Sequence, residues 1–547
     1  MTQQTHDVFN QPPPFGDVNL IAAHRALCDT LAANGVEVGP ERLETFGAAW
    51  GTAGRLDLGR LANENPPKLR TFDSRGFRID AVEFHPAYHA LMQASIADGL
   101  HASTWDGADP ARPRGRGHVA RAARLYTVAG VESGHVCPLT MTHASVAALA
   151  VSPTLLKEWL PRIVSRAYDS RFIPFWEKTG VTLGMGMTEK QGGTDVRANT
   201  TRAESKAGDE YLLTGHKWFM SAPMCDAFLV LAQAPGGLTC FLMPRFRPDG
   251  SLNGIHLQRL KDKLGNRSNA SSEVEFERAF AWRVGEEGRG VRTIIEMVQL
   301  TRLDCAVASA GLVRMGLAQA LHHARHRSVF QKRLIDQPAM RAVLADLALE
   351  NEAMTALALR AARSFDDAPE DEREAGYARL VTPAAKFGIC KAAPRLIYEA
   401  MECLGGNGYV EESPLPRLYR EAPVNAIWEG SGNVIALDIL RAETREPEAA
   451  AAALDHLMAG IADLPGARDA ARDILLALHS PDAEAKARLI ADRLYTLAAT
   501  AALAEAAPPE IVEAYALTRL DRPARMIGAN EVGSAAKTLL DRALTTI

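Results

Sequence analysis

The chain of 547 residues lacks the features of a membrane protein, a disulfide-rich protein or a protein that coats nucleic acid. No apolar run reaches the roughly 18 residues of a membrane-spanning helix, and the N-terminal segment has neither the basic nor the apolar part of a signal peptide. The seven cysteines form no C-x-x-C pair, which predicts free thiols in a reducing cytoplasm; no metal site is predicted. With 61 basic and 66 acidic residues the net charge is −5, which excludes a uniformly basic surface but not a local basic patch.

Changes in the sequence pattern divide the chain into four parts, because a chain of this length needs more than one core. Residues 1–180 show helical apolar spacing and predict an N-terminal helical domain with an N-terminal extension. Residues 181–290 change to short strands between Gly-rich or charged turns, which predicts a β domain. Residues 291–446 predict a helical bundle, and the Ala-rich residues 447–547 predict an extra helical domain. The predicted fold class is α+β, mostly α.

The positions of the prolines predict where two long helices begin or end. No proline occurs between Val291 and Gln337, so one amphipathic helix is predicted from Gly290 to His326. Pro383 is interpreted as a first-turn proline, which predicts that the next long helix begins at Thr382.

Two segments of the β domain have residue types that suit a flat, anionic cofactor. The segment Met187–Asp195 contains hydroxyls and two adjacent glycines, which let backbone N–H groups approach an anion or a ring edge. The alternative is an ordinary loop with a Gly-Gly turn. In the strand Gly215–Ser221, alternation predicts Trp218 and Met220 on one face, so Trp218 either lies against a flat ring or packs into a core.

Glu429 is the most informative single residue. It follows Trp428 and precedes a predicted helix that begins near Ser431, so its carboxylate lies close to the free N–H groups of a helix start. A carboxylate beside an aromatic ring and small residues suits a base that works against a flat cofactor. The alternative is that Glu429 only serves the start of that helix.

Together these motifs resemble the acyl-CoA dehydrogenase family over about residues 50–445. They occur in that family's order, at Met187–Asp195, Lys217–Phe219, Lys263–Ser268, Leu404–Tyr409 and Trp428–Ser431. Segments at 5–12, 59–63, 84–86, 261–270 and 423–433 are similar to a branch of the family that acts in the adaptive response to alkylation damage. The resemblance implies the acyl-CoA dehydrogenase fold, with a helical N-terminal domain, a middle β domain that is barrel-like and a helical bundle, plus extra C-terminal helices. It also implies FAD, a cytoplasmic homotetramer, and double-stranded DNA binding beside weak or vestigial oxidation of an acyl-CoA.

The resemblance further implies roles for individual residues. Glu429 matches the family's catalytic base, since the position used by isovaleryl-type members is Thr301 here, before Arg302, and Arg302 is assigned to the substrate. The residues implied to bind FAD are Met187, Thr188, Gly193, Thr194, Asp195, Trp218, Met220, Ser221, Arg327, Phe330, Gly405, Gly406, Trp428, Ser431 and Asn433. The positions that depart from the family pattern are Met220 for Thr or Ser, Gln331 for Gly, Glu402 for Gln, and Trp428 for the more common Tyr.

DNA binding would need clustered basic residues, because phosphate contacts supply most non-specific affinity. From Arg441 onward the tail has 12 Lys and Arg against 16 Asp and Glu, so it is not basic overall. The candidate DNA-binding residues are Arg441, Arg445, Arg519, Arg522 and Arg525. The alternative is that these residues are solvated and paired along their own helices. Two other functions remain open: a metabolic acyl-CoA dehydrogenase that reduces an electron-transfer flavoprotein, and a scaffold that has lost FAD.

Overall fold

The computed structural model describes residues 5–39, 43–106 and 116–545. These residues fall into two compact units, the first within Met1–Leu56, Ala111–Val131 and Cys305–Ile547, the second within Asp57–Pro110 and Glu132–Asp304. All seven cysteines are free thiols, and six of them are buried. Among the helices described, none is both long enough and apolar enough to cross a membrane.

The helices of the described residues are α1 (Arg25–Ala33), α2 (Leu43–Trp50), α3 (Ala53–Glu64), α4 (Pro86–Ala97), α5 (Gly117–Val131), α6 (Val136–Leu149), α7 (Pro153–Ile163), α8 (Gly290–His326), α9 (Pro338–Asp367), α10 (Glu372–Cys403), α11 (Gly406–Tyr409), α12 (Pro414–Glu421), α13 (Gly432–Arg445), α14 (Pro447–Ala459), α15 (Ala467–Leu478), α16 (Ala483–Ala506), α17 (Pro509–Tyr515) and α18 (Ala535–Ala543). The strands are β1 (Lys68–Phe72), β2 (Arg78–Glu83), β3 (Leu183–Gly186), β4 (Arg202–Ala207), β5 (Glu210–Ser221), β6 (Ala227–Ala234), β7 (Gly237–Pro244), β8 (Ile255–Leu260), β9 (Ser271–Val284), β10 (Ser328–Val329) and β11 (Lys332–Arg333).

Helix α8 has the predicted limits, Gly290 and His326. The prediction for α10 was wrong at its start: the helix begins at Glu372, capped by the Asp371 carboxylate, and Pro383 lies inside it. A proline inside a helix removes one backbone hydrogen bond. Here the helix continues because the residues around Pro383 are buried in the bundle, and burial outweighs the local preference.

The N-terminal region was predicted to be helical but also contains a β-hairpin. Strands β1 and β2 pair antiparallel, with Lys68 opposite Glu83. The Asp73 carboxylate accepts backbone hydrogen bonds from Arg75 and Phe77 and so forms the turn between them. The strands are too short for alternation to separate them from the helical spacing on either side.

The predicted middle β domain is a mixed sheet whose strand pairings close on themselves. Strand β6 pairs with β4 and β7, β9 pairs with β5 and β7, and β4 pairs with β5. Strand β3 adds to β6 in parallel and β8 adds to β9. Strands β6 and β7 are buried along nearly their whole length, which places the core of the second unit between them and their neighbours.

The C-terminal helices, predicted as an extra domain, lie in the same compact unit as the helical bundle. Helix α16 packs against α9, α10 and α13. The Arg519 guanidinium is mostly buried and forms ion pairs with Asp346 and Glu350 of α9. Asp346 also accepts hydrogen bonds from Gly528 N (2.7 Å) and Asn530 Nδ2 (2.8 Å). The assignment of Arg519 to DNA was therefore wrong, because its charge is used inside the protein.

Replacing Arg519 by methionine should destabilise the first unit, because it leaves two buried carboxylates without their cation. Such a loss costs about 3–5 kcal/mol. Thermal and urea unfolding followed by circular dichroism should show the decrease. The matched control is Arg522→Met, since the Arg522 side chain is 82% exposed and should change stability little. Equal stability of the two variants would contradict the structural role of Arg519.

Candidate functional site

Glu429 lies in a backbone turn that a buried lysine holds. Its φ is +58°, a left-handed conformation that costs energy in a residue other than glycine, and Gly430 follows with φ of +104°. The Lys386 side chain is buried in α10, and its ammonium group donates to the carbonyl oxygen of Trp428 at 2.8 Å and to that of Gly430. One cation therefore holds the carbonyl groups of the residues directly before and after Glu429.

The residues before Glu429 are fixed by side-chain hydrogen bonds. The Trp428 indole Nε1 donates to Asn425 Oδ1 at 3.0 Å, and Asn425 Nδ2 donates to Ser309 Oγ of α8 at 3.0 Å. Trp428 is thereby tied to the long helix of the bundle. Glu429 itself is half-buried.

The start of α13, directly after this turn, is surrounded by cations. Ser431 is the N-cap residue, as predicted, but its side chain makes no capping hydrogen bond. A Cβ at Gly432 would lie 2.7 Å from Lys391 Nζ. Arg488 of α16 donates to Asn433 Oδ1 at 3.0 Å. Burial first, and then the charges of Arg488 and Lys386, lower the pKa of Lys391. This positive end suits an anionic ligand such as a pyrophosphate.

The glycines after α10 leave open space. Gly405 has φ of +61°, which favours glycine, and a Cβ at Gly405 or Gly406 would meet no other atom within 4 Å. Glu402 lies in the last turn of α10, and its carbonyl accepts from Gly405 N at 2.9 Å. The backbone of this turn can therefore approach a flat ligand closely.

Arg327 directly precedes a tight hairpin, and Phe330 lies in its turn. Phe330 and Gln331 form the two-residue turn between β10 and β11, with φ of +49° and +65°, which is the pattern of a type I′ turn. The Phe330 side chain is 93% exposed. Arg327 Nη1 donates to the carbonyl oxygen of Asn10 at 2.7 Å, so the N-terminal extension holds the base of this hairpin.

In the second unit, a buried ion pair supports the segment Met187–Asp195. Glu189 and Lys217 are fully buried and their charged groups lie 2.8 Å apart. Glu189 also accepts from the backbone N of Thr200 at 2.7 Å and of Thr201 at 3.1 Å. Burial raises the pKa of Glu189, but the hydrogen bonds and the charge of Lys217 lower it by more, so its net pKa lies well below the usual range.

The same segment is joined to β5 through Thr188. Its carbonyl oxygen accepts from Trp218 N at 2.8 Å. A Cβ at Gly193 would collide with Thr188 Oγ1, so this close approach needs glycine. Thr194 and Asp195 are exposed, and the Met187 carbonyl accepts from Asn199 Nδ2 at 3.1 Å.

Trp218 lies beneath cations, whereas Met220 is buried in the sheet. Lys261 Nζ lies 3.4 Å from the centroid of the Trp218 ring. The pairing of β5 with β9 shifts register between Lys217 and Met220, and a Cβ at Gly186 would be 3.3 Å from both of those side chains. The prediction that Trp218 and Met220 share a face was wrong, because this bulge interrupts the alternation.

The remaining residues predicted to bind FAD or substrate lie in the second unit. Ser221 Oγ is 3.4 Å from Ser271 Oγ at the end of β5. Arg302 is buried in α8, next to Thr301, whose hydroxyl donates to the carbonyl oxygen of Val298 at 3.0 Å.

The residues present fit FAD in each unit. The first unit offers a cationic helix start and glycines beside open space, and the second offers an aromatic ring next to a Gly-Gly segment. Sequence reasoning missed the residues that support these features: Glu189, Lys217, Lys261, Lys386, Lys391 and Arg488. Glu189 and Lys217 are charged residues inside recognisable motifs, so the sequence offered a signal for their role. The positions of Lys386, Lys391 and Arg488 offered no such signal.

Three family models and a curated relative match this chain. Residues 10–170 match the family described as Adaptive response protein AidB N-terminal domain, residues 184–279 the Acyl-CoA dehydrogenase middle domain, and residues 288–444 the Acyl-CoA dehydrogenase C-terminal domain. The chain is 47% identical over 526 residues to AidB of Escherichia coli (strain K12), which is 95% of each chain.

Solved structures are similar over the length of the chain. Caenorhabditis elegans ACDH-11 in complex with C11-CoA superposes with a TM-score of 0.82 at 27% identity, over 99% of this chain and 98% of that one. The apo form of Bd2924 has a TM-score of 0.81 at 28% identity, over 91% of this chain and 99% of that one.

Replacing Glu189 by glutamine should reduce the acid sensitivity of the protein. The folded-state pKa of Glu189 is depressed, so its stabilising contribution is present above the unfolded-state value and is lost as the pH falls. The thermal midpoint should therefore drop less between about pH 5 and about pH 2 in Glu189→Gln than in the unsubstituted protein. The control is Glu286→Gln, because Glu286 is 83% exposed. An unchanged pH dependence in Glu189→Gln would refute the role of this ion pair.

Proposed function

This chain belongs to the acyl-CoA dehydrogenase family and, within it, to the AidB type, and we propose that it oxidises an acyl-CoA thioester with Glu429 as the base. By this membership it is an FAD-dependent oxidoreductase of the acyl-CoA dehydrogenase type. The observation that carries the proposal is the clamp of Lys386 on the carbonyl groups of Trp428 and Gly430, the residues on either side of Glu429. The left-handed conformation of Glu429 supports the proposal, because strained backbone in residues other than glycine concentrates at functional sites.

Residues in both compact units are proposed to hold FAD. In the first unit, the start of α13 with Lys391 and Arg488 offers positive charge to the pyrophosphate, and Gly405 and Gly406 give close backbone approach. In the second unit, Trp218 and the Thr188 segment offer a ring and hydrogen-bonding groups to the flavin. Met220 contributes through its backbone only, because its side chain is buried in the sheet.

The chemistry proposed for the protein side is proton removal. The Glu429 carboxylate takes the proton from the α-carbon of the acyl thioester, and the fixed turn keeps that carboxylate in one orientation. A bound FAD would supply the acceptor for the hydride of the β-carbon, so the product would be the α,β-unsaturated thioester. An acyl-CoA is the proposed substrate class, which the complex of ACDH-11 with C11-CoA supports.

A cytoplasmic homotetramer is proposed as the assembly. Large apolar side chains are exposed on the first unit near the proposed cofactor residues: Phe330 is 93% exposed, Tyr409 79% and Ile427 65%. Strongly exposed aromatic and aliphatic side chains are a feature of surfaces that another copy of the chain can cover. The buried, unbonded cysteines suit a reducing compartment.

Glu429→Gln should keep FAD but lose reduction by substrate. The purified variant should be yellow, and bleaching of its flavin absorbance by acyl-CoA should slow by about a hundredfold or more, the usual effect of removing a general base. Lys386→Met should slow bleaching too, since the Glu429 turn loses its clamp. Full-rate bleaching of Glu429→Gln would disprove the assignment, and bleaching by no acyl-CoA of any chain length would count against the activity itself.

The rates of flavin reduction and re-oxidation distinguish a metabolic dehydrogenase from a protein that mainly protects DNA. A metabolic acyl-CoA dehydrogenase should pass electrons rapidly to an electron-transfer flavoprotein over many turnovers. In a protein whose main task is DNA protection, acyl-CoA should reduce the flavin slowly or for a single turnover only.

The visible spectrum also tests whether the chain is a scaffold that has lost FAD, since such a protein would be colourless when purified.

Protection of double-stranded DNA during alkylation stress is proposed as a second function of the same protein. Arg441 and Arg445 are exposed and four residues apart on α13, and Arg522 and Arg525 are exposed after α17. Among the described residues neither Arg441 nor Arg445 forms an ion pair. The charges of Arg441 and Arg445 are thus available to DNA phosphates, although the residues from Arg441 onward are not basic overall.

Neutralising Arg441 and Arg445 should weaken DNA binding at every sequence alike. The slope of log affinity against log salt should fall by about one for each DNA phosphate that the variant no longer neutralises. Fluorescence anisotropy with a labelled duplex measures both quantities. Arg472→Gln is a suitable control, because Arg472 is exposed in the same tail but pairs with Asp469 at 2.8 Å. Absence of DNA binding even at low ionic strength would eliminate this function.

A further inference from the structure

A separate cavity lies within the second unit, between the N-terminal hairpin and the sheet. It has a volume of about 470 Å³ and is lined by residues of β2, β5, β8 and β9 and of the segment after β7. Neither Glu429 nor any of the residues predicted to bind FAD lines it. Four arginines line it: Arg78, Arg245, Arg247 and Arg278.

Arg245 is the most unusual of these residues. Its side chain is nearly fully buried, and its Nη2 donates to the backbone oxygen of Asp80. The other two donor positions, Nε and Nη1, are buried and have no hydrogen-bond partner among the described residues. Donors of a buried guanidinium are normally satisfied, because leaving them unpaired is costly. The guanidinium lies over the Phe172 ring, 5.1 Å from its centroid, which leaves its edge for hydrogen bonding.

The lining carries four arginines against the carboxylates of Asp80 and Glu277, so positive charge is in excess. Glu277 Oε2 lies 3.6 Å from His256 Nδ1. Arg78 Nε is bonded to Asp80 Oδ2 at 2.7 Å, and Arg278 is paired with Glu204 at 3.1 Å. Arg247 donates to Asn253 Oδ1 at 3.5 Å and to the backbone oxygen of Arg278 at 3.4 Å. Neither Arg245 nor Arg247 forms an ion pair with a carboxylate of the described residues. Two guanidinium groups therefore face the cavity with their charge not compensated by an ion pair.

The cavity also has acceptor and apolar parts. Asp80 Oδ1 is buried without a hydrogen-bond partner among the described residues, so it can accept from a hydroxyl of the ligand. The aliphatic side chains of the lining are Ile79, Leu212, Leu252 and Ile255. A ligand that suits these groups carries an oxyanion, a hydroxyl and an apolar body.

We propose that this cavity binds a small organic phosphate, with its phosphate group on Arg245 and Arg247 and its apolar body against the aliphatic lining. Phosphate oxygens match two parallel N–H donors of an arginine and carry more charge than a carboxylate. A phosphate group that retains a proton can also donate to Asp80 Oδ1. Burial lowers the pKa of Arg245 to about 10, which leaves it charged at neutral pH and able to pair with the ligand.

Titration calorimetry of the full-length FAD-loaded protein tests the proposal with inorganic phosphate, phenyl phosphate and benzoate as probes. Phenyl phosphate should bind more tightly than inorganic phosphate, because only it fills the apolar part, and more tightly than benzoate, because benzoate lacks the second negative charge. Arg245→Lys and Arg247→Gln should each weaken phenyl phosphate binding by about tenfold or more.

Arg289→Gln is the control, because Arg289 is 60% exposed and does not line the cavity. Arg247 is half-exposed, so its variant keeps the test valid if Arg245→Lys fails to fold. Unchanged affinity in folded Arg247→Gln, or equal binding of benzoate and phenyl phosphate, would overturn the proposal.

Acyl-CoA also carries phosphates, so the titration is repeated with saturating acyl-CoA. Unchanged phenyl phosphate affinity supports a separate site, whereas loss of binding would show that the cavity belongs to the acyl-CoA site and overturn it. Flavin bleaching in Arg247→Gln should proceed at the unsubstituted rate, so failure of this proposal is distinct from failure of the proposed dehydrogenase activity.

Discussion

The contact between the Lys386 ammonium and the carbonyls of Trp428 and Gly430 is the constraint on which the proposed chemistry depends. A left-handed glutamate costs on the order of 1–3 kcal/mol, so the turn around Glu429 persists only where its surroundings hold it. The ammonium group supplies several donors from within a buried helix, and α10 is in turn fixed by α9, α13 and α16. The packing of the bundle thereby determines the orientation of a single carboxylate.

In the second unit, too, a buried charged group holds a polar segment in place, but there it is one member of an ion pair. There the segment Met187–Asp195 has little apolar surface to bury. The buried ion pair of Glu189 and Lys217 stabilises it in place of apolar packing. Glu132 shows a related arrangement: burial raises its pKa, but hydrogen bonds from His135 and Ser268 lower it to about 2 overall. Buried charges with complete hydrogen bonding make polar loops rigid, which a cofactor site requires.

Charge also explains how the C-terminal helices join the bundle. Arg519 pairs with Asp346 and Glu350, and Arg542 pairs with Glu352 of α9 and Asp29 of α1. These arginines therefore stabilise the fold, and the basic residues left at the surface are fewer than the sequence suggests. The cavity beside Arg245 is the opposite case, since a buried arginine there has donors that the protein does not use.

The sequence by itself determined the order of helical and β regions, the limits of α8, and the motif residues around Glu429 and Trp218, because apolar periodicity and short-range turn chemistry are local properties. It did not determine the start of α10, the hairpin of β1 and β2, or the bulge that buries Met220. Tertiary structure alone decided which charges meet: Lys386 with the Glu429 turn, Lys217 with Glu189, and Arg519 with α9. These partners are 28 to 173 residues apart, and only the folded chain brings them within hydrogen-bond distance in a medium where an unpaired charge is costly.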